Sequence, residues 1–88
     1  MREPIETKPR HGGIQKVYKF DNGYGASVIR HSGSYGGNDG LWELAVIKFQ
    51  GEGKWSLDYR TSITDDVIGY LSDQEVDDLL GRVEALES

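Results

Sequence analysis

From residue 14 to residue 60 apolar and polar positions alternate, which is the period of a β-strand. IQKVYKF, the tripeptide Asp21-Asn22-Gly23 and YGASVIR read as a hairpin. A three-residue loop with glycine third suits a type I turn closed by a left-handed residue. This loop sets Phe20 opposite Tyr24, Tyr18 opposite Ala26 and Lys16 opposite Val28. One face then carries Ile14, Tyr18, Phe20, Tyr24, Ala26 and Val28, and the other Val17, Lys19, Ser27 and Ile29. A two-residue Asn22-Gly23 loop would slip the register by one and scramble that division. LWELAVIKFQ, Gly51-Glu52-Gly53 and KWSLDYR read as a second hairpin, with Phe49 opposite Trp55, Ile47 opposite Leu57 and Ala45 opposite Tyr59. Its reverse face is polar near the turn (Lys48, Gln50, Lys54, Ser56) and apolar further away, at Trp42, Leu44 and Val46. Between the hairpins, HSGSYGGNDG holds four glycines in ten residues and reads as a long surface loop.

Beyond residue 60 the period changes. Thr64 is placed to cap a short turn of helix over residues 65–70, and Ser72-x-x-Glu75 matches a capping box for a second helix. Val76, Leu79, Leu80, Val83 and Leu86 form one apolar stripe at helical spacing. Gly81 interrupts this helix at a cost of about 1 kcal/mol relative to alanine, and close approach to the sheet is one reason to keep it. Residues 1–13, with both prolines and no apolar period, read as a flexible arm. The expected fold is α+β, with residues 14–88 as one domain. It is a four-stranded antiparallel meander packed against the C-terminal helix, with the short helix before it. The helix stripe is expected to meet Ile47, Phe49, Trp55 and Leu57 together with Tyr18, Phe20 and Val28. Trp42, Leu44, Val46, Val17 and Ile29 are then left on a second apolar face. That face needs cover from the short helix, the arm, a second copy or another protein, and it is the candidate partner-binding surface.

Composition narrows the chemistry. The chain has 88 residues and no cysteine, so disulfides, thiolate metal sites and cysteine nucleophiles are excluded. No apolar run reaches the ~20 residues of a membrane helix, and no positive-then-apolar leader is visible. The net charge of −5 is split: residues 1–60 hold nine Lys/Arg against seven Asp/Glu, whereas residues 61–88 set Arg82 alone against eight acids. The acidic end reads as a solvated helix face with acids near the helix N-terminus, and mimicry of a nucleic-acid phosphate run would want denser charge. Lys16, Lys19, Arg30, Lys48 and Lys54 do not share a sheet face, so direct nucleic-acid binding is disfavoured. His11 and His31 are the only histidines. No nucleophile elbow, HExxH, calcium loop or phosphate loop appears, so no enzyme activity, cofactor or metal is expected. The glycine loop offers a weaker alternative. Arg30, His31, Ser34, Tyr35 and Asn38 would project donors and a ring from it toward a small molecule or nucleotide.

FDNGYGASVIRH, SYGG, GLWELAVIKF and ITDDVIGYLSDQEVDDLL, in that order, resemble a family of small uncharacterised proteins of tailed bacteriophages, over roughly residues 16–86. The resemblance implies a compact accessory protein in the cytoplasm of an infected bacterium and brings no catalytic residues. The expectation is therefore a non-enzymatic accessory protein that acts by binding a host or phage protein, or a second copy of itself as a homodimer.

Overall fold

A computed structural model describes residues 2–34, 36–51, 54–61, 63 and 67–87. Strands β1 (Glu6–Arg10), β2 (Gly13–Lys19), β3 (Tyr24–Arg30), β4 (Trp42–Phe49) and β5 (Trp55–Leu57) follow one another in an antiparallel meander without crossover. A further strand, β6 (Ile68–Leu71), pairs with β4, and helix α1 spans Asp73–Glu84. The α+β class, the antiparallel sheet and the C-terminal helix are as the pattern predicts. The count of four strands is corrected to six among the described residues.

Both extra strands have a physical origin. β1 runs through the segment expected as an arm, and every one of its residues is exposed. An edge strand that buries nothing leaves no apolar period to read. It is joined to β2 by a two-residue turn, with His11 at φ 49° and Gly12 at φ 80° between the paired Arg10 and Gly13. Positive φ at both central residues suits the right-handed twist of a hairpin. β6 replaces the end of the expected short helix, whose residues 64–66 lie outside the described residues. β4 is eight residues long, yet β5 pairs only with Ile47, Lys48 and Phe49. The open first half of that edge is taken by β6, with Leu71 opposite Trp42 and Ile68 opposite Leu44. The extra residue on β6 makes a bulge, where Tyr70 adopts φ 58° and stays exposed.

The first hairpin has the expected register, Tyr18 to Ala26 and Lys16 to Val28, and Gly23 has φ 86°. The second pairs Phe49 with Trp55 and Ile47 with Leu57, then stops. Ala45 does not reach Tyr59, because Asp58 turns inward and its carboxylate accepts the backbone N–H of Arg60 at 2.9 Å. Glu52 and Gly53 lie outside the described residues.

The relative phase of the two hairpins corrects the expected faces. β3 pairs with β4 so that Ala26 meets Val46 and Val28 meets Leu44. Trp42, Leu44 and Val46 therefore share a face with Tyr18, Phe20, Ala26 and Val28, and α1 lies on that face with Val76, Leu80 and Val83. Val17 and Ile29 point to the reverse face, beside Ile47, Phe49, Trp55 and Leu57. A strand reverses its face with each residue of slip. The hairpins are joined through the long glycine loop, so neither hairpin's own turn sets this phase.

The helix is held at both ends. Ser72 Oγ accepts the Glu75 backbone N–H at 3.2 Å, and Glu75 Oε1 accepts the Ser72 N–H at 2.9 Å, closing the expected capping box. At the far end Asn22 Nδ2 lies within 2.9 Å of the Val83 and Leu86 carbonyls. The hairpin turn thus supplies donors to orphan helix carbonyls.

Candidate functional site

α1 packs on β3, β4 and β6. A helix is about 10 Å wide, and five strands at about 4.8 Å spacing span nearly twice that. One helix therefore cannot cover the whole face. Beside α1 lies a groove of about 790 Å³ between the helix, strands β2 to β4 and residues 2–4, and the apolar side chains that sheet and helix contribute to its lining are buried. Its floor is Lys16, Tyr18, Val28, Arg30 and Trp42. Asp73, Gln74, Val76, Asp77 and Leu80 of α1 form one wall, and Arg2, Glu3 and Pro4 the other.

Trp42 organises the floor. It is buried, and its indole N–H donates to Asp73 Oδ1 at 2.7 Å, tying β4 to the first turn of α1. The Arg30 guanidinium lies 4.2 Å and the Lys16 ammonium 4.9 Å from the ring centroid. Cations are drawn to the negative face of an indole. Two basic side chains from different strands thus converge on one ring. Beside them Tyr18 is buried; its hydroxyl is pushed above the usual phenol range by burial first, and then by the charges of Glu3 and Asp77. The groove therefore combines aromatic surface with charges of both signs.

Arg2 ties residues 2–4 to α1. Arg2 donates to Glu84 Oε1 from Nη2 at 2.9 Å and from Nε at 3.2 Å, and to Asp77 Oδ1 from Nη1 at 3.4 Å. The partners are about half exposed, so each pair is worth about 0.2–1 kcal/mol. Gly81 belongs to this contact and does not face the sheet, which corrects the reason expected for it. A Cβ there would lie 3.2 Å from Arg2 Nη2.

The sequence-predicted partner face is thus divided. Trp42, Leu44 and Val46 are covered by the chain's own helix, and Leu44 and Val46 are fully buried. On the reverse face Val17 is buried and Ile29 half-buried. Gln15 Nε2 donates to Ser27 Oγ at 2.8 Å there, and the Phe49 ring lies where a side chain on Gly25 would stand. Exposed apolar surface on this side concentrates at Leu57, which is 50% exposed.

The loop candidates are largely engaged within the chain. Arg30 is stacked on Trp42 and also donates to the Gly40 carbonyl at 3.3 Å. Ser34 Oγ donates to the His31 carbonyl at 2.8 Å and accepts its N–H at 3.0 Å. His31 Nδ1 accepts the Gly33 N–H at 3.0 Å, and its ring meets His11 edge-on at 5.3 Å. Asn38 is exposed within a 3₁₀ turn, Gly37–Asp39, in a loop expected to be irregular. Tyr35 lies outside the described residues. Of these candidates, only Arg30 reaches the groove.

Sequence reasoning missed Arg2, Tyr18 and Asp77 as neighbours. The one available signal was Gly81, an unexplained gap in a good helix. Among the described residues no three His, Cys, Asp or Glu side chains gather as metal ligands, and no helix is long and apolar enough to cross a membrane. Comparison with protein-family models, curated proteins and solved structures finds no match to this chain.

Proposed function

We propose that the protein is a non-enzymatic binding module whose groove between α1 and β2 takes an extended segment of another protein. The resemblance to small phage proteins puts that role in an infected bacterium, with a host or phage protein as the partner. One observation carries the reading: the groove beside α1 sets Tyr18 and Trp42 next to basic side chains of the sheet, Arg30 and Lys16, and the carboxylates of Asp73 and Asp77. Aromatic anchors flanked by charge are a common composition for protein recognition. Residues 2–4 of the chain itself already form one wall.

The test places a photocrosslinking residue at Gln74, on the groove wall, and separately at Arg82, which is exposed and does not line the groove. Both variants are irradiated in infected cells. A single adduct from position 74, lost on Lys16→Glu, is the expected result. Equal adducts from both positions, or adducts only with further copies of this chain, would overturn the reading.

A further inference from the structure

We infer that residues 2–4 are a displaceable strap, and that Asp77, Gly81 and Glu84 form a guanidinium cradle which an arginine of the partner segment takes over from Arg2. The inference rests on the groove reading above and names the partner's chemistry. Asp77, Gly81 and Glu84 stand four and three residues apart, so they share one helix face. Glycine is disfavoured inside a helix, and among the described residues beyond the helix's own turn a Cβ placed at Gly81 would meet Arg2, at its Nη2 and Cζ. Missing side-chain volume at residue 81 is therefore where the guanidinium sits. Carboxylates on either side accept three of its N–H groups.

The cradle selects arginine by shape. A planar fork reaches Asp77 and Glu84 together, whereas a lysine ammonium is a point charge and serves one of them. The hold on Arg2 is weak by design of its surroundings, since every charge involved is solvated and screened. Residues 2–4 form no strand or helix, so releasing them breaks no ladder. An incoming segment that repeats the arginine recovers the same contacts. Its following side chains then stand where Glu3 and Pro4 now line the groove.

The strap is tested on the full chain without any partner, in a Trp55→Phe background that leaves Trp42 as the single indole. Arg2→Ala removes the strap's anchor, and Gly81→Gln fills the cradle from the helix side while Arg2 remains. Both variants are expected to raise acrylamide quenching of Trp42, which shares the groove lining with residues 2–4, with amide spectra that stay dispersed. The probe is the acetylated, amidated tetrapeptide Arg-Glu-Pro-Ile, a copy of residues 2–5. At millimolar concentration it should shift the Gly81 and Glu84 amides of Arg2→Ala, leave Gly81→Gln unmoved, and bind up to about fivefold more tightly than its lysine twin, the margin of one exposed ion pair. Unchanged quenching in both variants overturns the strap. Equal binding of the two peptides, or shifts away from α1, overturns the cradle. Crosslinking from position 74 is read independently, so a failed strap and a failed groove give different patterns.

Discussion

On the helix side of the sheet, two neighbouring regions are held by different forces. Above β3, β4 and β6, α1 buries Val76, Leu80 and Val83 against Ala26, Val28, Leu44 and Val46. Each large apolar side chain removed from water there contributes about 1.5–3 kcal/mol. At the groove beside β2, residues 2–4 are fastened by half-exposed charges. The first region sets whether the chain folds. The second can open and close while the fold persists, because screened ion pairs contribute little to stability. A binding groove belongs in the second kind of region, where surface can be exposed without unfolding the protein.

The strongest challenge to this contrast is a pair of truncations. Leu44→Ala removes a fully buried side chain and should cost about 2–5 kcal/mol in urea unfolding. Thr7→Ala, on exposed β1, should stay within about 0.5 kcal/mol. Comparable losses would show that both regions are core. Trp42→Phe sits on the boundary. It deletes the indole donor to Asp73 and should cost about 1.5–3 kcal/mol, the range for a hydrogen bond to a charged group. Asp73→Asn keeps an acceptor and should cost less. Asn22→Ala removes the side-chain donor shared by the carbonyls at the end of α1, of which Val83 keeps the Leu86 backbone N–H. A loss of about 1 kcal/mol, with faster hydrogen exchange confined to the end of α1, is expected.

The smallest effects are in pH. Tyr18 ionises at higher pH folded than unfolded. Stability is therefore unaffected below the ordinary value of 10.0 and falls as pH rises above it, where the unfolded chain ionises first. Tyr18→Phe should remove that alkaline decline in a thermal-melt series. Asp58 is displaced in the opposite direction: the Arg60 backbone N–H is the main cause, and it outweighs the burial that opposes it. Its contribution is present above the ordinary 3.8 and is lost as pH falls below it. Asp58→Asn should flatten the acid limb. A change in the alkaline limb from Asp58→Asn, or in the acid limb from Tyr18→Phe, would contradict these assignments.

Local order was legible wherever the signal was local. The register of β2 and β3 followed from a three-residue turn ending in Gly23, and the start of α1 followed from Ser72 and Glu75. Both depend on residues within a few positions of one another. β1 was not legible, because Glu6–Arg10 bury nothing and show no alternation. β6 was misread because four residues, Ile68–Leu71, are too short to separate strand from helical turn by period. The expected second apolar face is not laid open: Trp42, Leu44, Val46 and Val17 are all buried. Trp42, Leu44 and Val46 were assigned to the open face, and one residue of phase between the hairpins moved them under α1.

The sequence alone determined the hairpins, the capped amphipathic helix and the absence of thiol chemistry. Tertiary structure decided which face that helix takes, where β6 closes the free edge of β4, and that Arg2 meets Asp77 and Glu84 some 75 and 82 residues further along the chain. The reason is one of range. Turn and cap chemistry acts between near neighbours in the chain, whereas the phase of one hairpin on another and the seat of a guanidinium on a helix depend on contacts that exist only once the sheet has assembled.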